Sequence, residues 1–352
     1  MVHWGILGCG DVCEVKSGPA LQQASNSELV AVMRRDRARA EDFARRHGVP
    51  AFYDDADRLI DDARIDAVYI ASPPGAHLEL ALKVAAAGKR AYVEKPMARN
   101  YAECERMLEA FDKASVPLFV AYYRRALPRF VKARAIIESG MLGTLTGVTC
   151  RFASAAHRSV DSSVLPWRLQ AEHAGGGLFL DLASHTLDIL DFFLGPLQDV
   201  DGRAANLASP YDVEDRVILQ FRTSGGALGS GSWNFASHVN EDVTVVTGTD
   251  GELRLSTFGA EPVELHTAGG VEQFDLPNPP HIQQPLIQTV VDALHGRGIC
   301  PSTGVSAART SKVMDRALAS YYGSRDEGFW LHPERWPGRF SGTRNASSPT
   351  HG

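Results

Sequence analysis

Lys95, Asp181 and His185 are the side chains of this 352-residue chain best suited to move a proton at a hydroxyl-bearing carbon. Lys95 follows a short apolar run that reads as a strand, and the carboxyl end of a parallel strand is where α/β sheets place ligands. Pro96 removes a backbone donor there and restricts the approach to the strand end. Asp181 and His185 stand four apart in an apolar, helix-like stretch with Leu178, Leu182, Ile189 and Leu190, so both project from one face. Histidine titrates near neutral pH and can take a hydroxyl proton while hydride leaves the same carbon. A lysine ammonium can stabilise alkoxide character, or polarise a carbonyl in the reverse direction. Asp181 can hold a neighbouring hydroxyl or tune His185. Which of Lys95 and His185 is the acid–base stays open. Asp188, three beyond His185, is a candidate to orient the imidazole. The preceding Gly175-Gly176-Gly177 is expected to let backbone crowd against a ligand.

A hydride acceptor needs its own seat, and the amino end offers one. Gly8, Cys9, Gly10, Asp11 and Val12 follow an apolar strand and open a helix. Gly8 permits the tight turn, and Gly10 removes a side chain that would block a pyrophosphate lying at the helix N-terminus. Cys13 stands where a third glycine is usual and is small enough for close packing. About two dozen residues on, where an acid normally holds the adenosine ribose, the chain has Arg34-Arg35. A guanidinium can pair with a 2′-phosphate, so NADP is the expected cofactor. With Asp36 supplying the acid instead, NAD is the alternative.

A polyhydroxylated substrate needs several donors, since each hydroxyl left unpaired weakens binding. Tyr123, Arg124, His157, Arg158, Arg168 and His238 are the polar side chains expected to furnish them. Tyr123-Arg124 closely follows the last strand of the first half, near a domain junction.

The elements that must position these residues are legible. Residues 3–7, 29–33, 65–71, 90–93 and 118–121 read as short apolar strands, with helical stretches at 37–46, 77–87 and 101–114 between them. Asn100 with Glu103 forms a capping-box pattern at the start of the last of these helices. Such alternation implies βαβ units and a parallel sheet. After a helix at 128–139 the pattern changes. Strands at 145–152, 216–221, 227–235, 243–247 and 252–255 are separated by Gly-rich or Asp/Asn-rich turns, as in a mainly antiparallel sheet. Helices at 282–294 and 307–321 close the chain. The expected division is a dinucleotide-binding domain over 1–122, a substrate domain over 123–337 and a loose tail from 338 to 352.

The formal net charge of -6 supplies no general attraction to nucleic acid or anionic lipid. The five cysteines are odd in number and scattered, which argues against a disulfide scaffold and fits a cytoplasmic protein. No stretch approaches the length and apolarity of a membrane span, the start is unlike a signal peptide, and no cluster has metal-ligand spacing.

Four segments together carry a resemblance: GCGDV at the amino end, ASPPGAH leaving the 65–71 strand, VEKP closing the 90–93 strand, and GGGLFLDLASHTLD beyond residue 174. The chain resembles the glucose–fructose oxidoreductase and inositol dehydrogenase (Gfo/Idh/MocA) superfamily up to about residue 329. That resemblance implies a Rossmann domain followed by an α/β domain built on a large, mainly antiparallel sheet. It implies that Lys95 is the catalytic lysine, with a cis bond to Pro96 that sets it beside the nicotinamide, and that Asp181 and His185 complete the site. It further implies that Ser72, Pro73, His77 and Glu94 line the cofactor and that Trp167-Arg168 reaches cofactor or substrate. The substrate class it implies is a sugar, cyclitol, anhydrosugar or dihydrodiol. Pairing through an apolar open face of the second sheet would give a homodimer or homotetramer. Two other functions stay open: a cofactor-retaining epimerase or glycosidase, and a dinucleotide-binding protein that has lost catalysis.

Overall fold

The computed structural model describes residues 1–155, 164–326 and 328–339. Six parallel strands open the chain: β1 (Val2–Leu7), β2 (Ser27–Met33), β3 (Ala51–Tyr53), β4 (Ala67–Ile70), β5 (Arg90–Val93) and β6 (Leu118–Val120), in spatial order β3-β2-β1-β4-β5-β6. Apart from β3 these strands bury most of their side chains on both faces because helices cover both, which is why they read as continuous apolar runs. The helices begin and end where short polar residues satisfy backbone groups. Asp36 accepts from the Arg39 N–H at the start of Arg37–His47, and Gly48 takes a left-handed conformation (φ 65°) at its end. Asn100 likewise caps Tyr101–Ala114. Glu103 does not close a capping box onto Asn100; its carboxylate instead takes the Arg99 N–H and guanidinium.

The second sheet has eight strands: β7 (Leu145–Ala153), β8 (Gln198–Ala205), β9 (Arg216–Arg222), β10 (Leu228–Asn234), β11 (Glu241–Gly248), β12 (Gly251–Leu255), β13 (Val263–Thr267) and β14 (Gly270–Phe274). They lie in the order β14-β13-β12-β11-β7-β10-β9-β8, and every pairing is antiparallel except the parallel contact of β10 with β7. The architecture is thus a Rossmann fold joined to an α/β unit with a large, mainly antiparallel sheet. Strands β3, β8, β13 and β14 carry no strong apolar signal. β3 has three residues, β8 is polar at an edge, and β14 is largely exposed.

One face of this sheet packs Val148, Leu219, Trp233 and their neighbours against the helices Ser184–Leu194 and Gly304–Tyr322. The opposite face is mixed, polar and apolar, where an apolar surface was expected. It carries Thr149, Arg151, Gln220, Ser230 and Arg254 interleaved with Ile218, Leu228, Val243 and Val245. Alternation along each strand sends its most buried apolar residues inward and leaves a mixture of polar and β-branched or aliphatic residues outside.

Because β1, β4, β5 and β6 run in parallel, their carboxyl ends bring four segments to one rim: the glycine turn, the loop at Ser72, Lys95, and Tyr123-Arg124. The chain from Phe179 through the helix Ser184–Leu194 faces that rim. No helix among the described residues is long and apolar enough to cross a membrane.

Candidate active site

The glycine turn is built as its sequence demands. Gly8 has φ 88°, and its N–H and that of Cys9 both donate to the Met33 carbonyl at the end of β2, at 2.9 and 3.2 Å. A Cβ on Gly8 would stand 3.1 Å from the Ser72 nitrogen, whereas one on Gly10 would meet nothing nearer than the Gly8 carbonyl oxygen at 3.9 Å. Gly10 therefore opens onto free space in front of a helical segment. Beside it the Ser72 hydroxyl is buried without a hydrogen-bond partner. An open cradle and an orphaned hydroxyl fit a dinucleotide at this turn. Asp11 is exposed and Val12 half-buried at the mouth of the turn. Cys9 and Cys13 are buried in the apolar core, and burial raises the Cys9 thiol to about 11 and Cys13 higher still. Both act as small apolar packing residues.

His77 lines no open space. Its two ring nitrogens lie 2.7 Å from the Ser72 carbonyl and 3.1 Å from the Pro96 carbonyl, so it ties the loop after β4 to the loop after β5. Pro73 is exposed. Glu94 is also turned into the protein, accepting from Tyr69 Oη at 2.5 Å, Gln283 Nε2 at 2.6 Å and the Lys95 N–H at 3.1 Å. These contacts hold the Lys95 backbone, whose bond to Pro96 is cis.

Lys95 Nζ donates to Asp181 Oδ1 at 2.5 Å and to the Asp181 carbonyl at 2.9 Å. Arg168 Nε approaches the other carboxylate oxygen at 3.1 Å, with its guanidinium over the Trp167 ring. Burial alone would raise the Asp181 carboxyl, but Lys95 and Arg168 outweigh it and hold the group below its ordinary value. Asp181 thus joins a residue from each half of the molecule.

Asp181 and His185 do not sit on one regular helical face. Phe179–Ala183 winds as a wide π-turn before the α-helix begins at Ser184, and the two side chains separate. Asp181 goes to Lys95. His185 is buried among the rings of Tyr122, Tyr123 and Phe258, with centroids at 6.1, 5.4 and 5.7 Å. Its Nδ1 is buried and has no partner. Burial, followed by the charges of Arg124, Lys95 and Lys16, pushes its pKa well below the usual 6.5, so the ring is neutral at neutral pH. Asp188 does not orient it, because both Asp188 oxygens are taken by Arg125, at 2.8 and 2.7 Å.

The glycine run also serves a different end from the one expected. A Cβ on Gly175 would run into the Arg99 carbonyl, and one on Gly177 would lie 2.6 Å from the Glu214 carbonyl oxygen. The Gly177 N–H donates to the buried Glu214 carboxylate at 2.9 Å. These glycines press the chain against itself, not against a ligand.

Of the expected substrate contacts, Tyr123 and Arg124 meet His185, whereas His238 is exposed on the turn between β10 and β11. His157 and Arg158 lie outside the described residues, as does the tail from residue 340. Lys16, Thr257 and Phe258 were not anticipated. Lys16 lies six residues beyond Gly10, so helical spacing could have signalled it. Thr257 and Phe258 lie on a loop after β12, where nothing local marks them. Among the described residues no group of three or more His, Cys, Asp or Glu side chains stands where it could hold a metal ion.

The buried neutral imidazole gives a stability prediction. Its folded pKa lies below the unfolded value of 6.5. As pH falls below 6.5 the unfolded chain therefore takes up the proton first, and stability is lost at up to about 1.4 kcal/mol per pH unit. Urea midpoints between pH 7.5 and 5.5 should fall less in His185→Gln than in the native chain. Parallel slopes would remove His185 from the account.

Comparison with known proteins bears on this arrangement. Residues 2–122 match a family described as "Oxidoreductase family, NAD-binding Rossmann fold", and residues 130–254 match the GFO/IDH/MocA C-terminal domain. The chain is 35% identical over 317 residues to Oxidoreductase P35 of Formosa agariphila, covering 89% of this chain and 97% of that one. It is 28% identical over 283 residues to trans-1,2-dihydrobenzene-1,2-diol dehydrogenase of Bos taurus, covering 79% and 81%. A solved levoglucosan dehydrogenase in complex with NADH and levoglucosan superposes with a TM-score of 0.81 at 22% identity, covering 91% of this chain and 96% of that one. The chain belongs to the Gfo/Idh/MocA oxidoreductase family. It is an enzyme of the nicotinamide-dependent dehydrogenase and reductase class acting on CH–OH groups.

The expectation of NADP is corrected by the same finding, since the matching family is NAD-binding. The two arginines do not form a built phosphate fork. Arg34 Nη1 folds back to within 3.4 Å of the Cys9 carbonyl, and Arg35 projects into solvent.

Proposed function

We propose that this enzyme uses NAD to move hydride to or from a carbinol carbon of a sugar, cyclitol or related polyhydroxylated molecule. The observation that carries the reading is the Lys95–Asp181–Arg168 cluster beside a neutral, unpartnered His185, all at the rim that also holds the glycine turn. Gly8, Cys9, Gly10 and Ser72 would hold the dinucleotide, which supplies or accepts hydride when bound. Lys95, held in place by Asp181, stabilises the developing alkoxide. His185 offers a nitrogen lone pair for the hydroxyl proton and returns it in the reverse direction. Asp181 fixes the ammonium, Arg168 holds the carboxylate by its other oxygen, and the two have lone pairs and donors left for neighbouring hydroxyls. A protein that only bound dinucleotide would have little physical reason to keep this set. The test is NADH fluorescence with a panel of ketoses, aldoses, cyclitols, anhydrosugars and a dihydrodiol. NADH should bind at least about tenfold more tightly than NADPH, and one class should turn over. Tight NADH binding with no turnover anywhere in the panel would point to the non-catalytic alternative.

The enzyme is further proposed to act in the cytoplasm, a setting in which its five unpaired cysteines stay reduced. It is proposed to pair through the open face of the second sheet, where Ile218, Leu228, Val243 and Val245 stand among polar side chains. Light scattering should give at least twice the 38.2 kDa of one chain. A single-chain mass at micromolar concentration would reject the pairing.

A further inference from the structure

Four arginines are buried among the described residues, and three of them are satisfied by the protein. Arg125 pairs with Asp188 and Asp191, and Arg325 with Asp315. Arg129 places its terminal nitrogens on Ser256 and on the carbonyls of Gly259 and Glu261. Arg124 differs. It is 6% exposed, its Nε donates to the Thr257 carbonyl at 2.9 Å, and its Nη1 donates to Tyr123 Oη at 3.0 Å. Among the described residues no hydrogen bond engages Nη2 and no carboxylate lies within 4.0 Å. The guanidinium is held between the Tyr123 and Phe258 rings, 5.0 and 4.6 Å from their centroids, and those same rings enclose His185. A buried cation with an unused donor is costly unless an anion completes it.

The carboxylates nearby are committed elsewhere. Asp181 is shared by Lys95 and Arg168, and Glu94 is tied to Tyr69, Gln283 and the Lys95 N–H. Asp242 accepts the N–H groups of Thr257, Phe258 and Gly259. The cations that reach His185 come from three elements: Arg124 after β6, Lys95 after β5, and Lys16 beyond the glycine turn. A pyrophosphate at that turn cannot be the partner of Arg124. β6 stands three strands from β1, roughly 14 Å at the usual strand spacing.

We infer that the substrate carries a carboxylate seated on Arg124, so that the polyhydroxylated molecule is a sugar acid of the aldonate or uronate class. This rests on the oxidoreductase reading above and narrows its substrate. The free Nη2 and the Tyr123 hydroxyl, which accepts from Nη1 and keeps its own proton to donate, form one side of the seat. The carboxylate would also offset the positive charge around His185 and so ease its uptake of the hydroxyl proton.

The experiment uses the NADH-saturated enzyme titrated calorimetrically with D-glucuronate and D-gluconate, each beside an uncharged counterpart, D-glucuronamide and D-glucitol. The acids should bind at least about tenfold more tightly than the amide and the alditol, the size of one charge-assisted contact. Arg124→Met should abolish that preference with NADH affinity unchanged. Equal binding of acids and uncharged partners in the native enzyme overturns the inference and leaves the polyol reading standing. A preference that survives in Arg124→Met overturns the assigned seat. If NADH binds but no acid or neutral polyol does, the polyol reading fails and this inference fails with it. The native comparison alone decides the matter should Arg124→Met not fold.

Discussion

Lys95→Met should lower kcat by about 10²-fold or more, the range of a positioned proton-transfer or charge-stabilising group, while the chain stays folded and binds NADH nearly as before. The separation of effects follows from the contacts. Removing the ammonium takes away the bond to Asp181 Oδ1 at 2.5 Å, but Arg168 remains 3.1 Å from the other oxygen, so the carboxylate keeps a cationic partner. The Lys95 backbone is held independently by Glu94, and the loop is braced by His77. Stopped-flow hydride transfer with NADH fluorescence would measure the loss, and a titration would measure the cofactor Kd. An unchanged kcat would discard Lys95 as the group that meets the reacting oxygen. A large loss of NADH affinity with kcat preserved would make it a cofactor anchor. His185→Gln should also slow the reaction, with a changed pH profile, because the neutral ring offers a titratable, uncharged acceptor for the hydroxyl proton.

Arg125→Met should cost about 3–5 kcal/mol of stability, the usual result of stripping one partner from a buried ion pair. Arg125 binds Asp188 through two nitrogens and reaches Asp191 at 2.9 Å, and Arg309 supports Asp191 from the far side. These pairs pin the helix Ser184–Leu194, which carries His185, to the segment Tyr123–Ala126 at the end of the first sheet. Burial raises the Asp188 carboxyl to about 6 even with Arg125 beside it. A raised carboxyl binds its proton more tightly in the folded chain, so its ionisation costs stability as pH climbs from the unfolded value of 3.8 through 6. Without Arg125 that cost grows. The gap between native and variant urea midpoints should therefore be wider at pH 8 than at pH 5. An equal gap at both would show that Asp188 is not the group left stranded.

Several expectations failed for one reason: a side chain's partner is chosen in space. Asp188 stands at helical spacing from His185, yet the helix turns it toward Arg125 and the interior. Gly175 and Gly177 do permit close approach, but what approaches is the backbone at Arg99 and Glu214. Arg34 occupies the position where a phosphate-binding residue could stand, and folds back onto Cys9. The π-turn at Phe179–Ala183 separates Asp181 from His185, a one-residue irregularity that no count of four positions reveals.

By itself the sequence determined the alternation of short buried strands with capped helices in the first half, and with it the parallel sheet. It also determined the glycine turn and the position of Lys95 at a strand end. Those features rest on local rules, namely apolar runs buried on both faces, left-handed φ at glycine, and the carboxyl-end placement of loops. Tertiary structure decided which charges meet. Lys95, Asp181 and Arg168 come from three separate stretches, and Arg124 meets Thr257 and Phe258 across more than a hundred residues. Charge pairing and burial depend on distances set when the second sheet and its helices close over the rim of the first. No spacing along the chain encodes that closure, so the neutral state of His185 and the uncompensated charge of Arg124 became visible only in the fold.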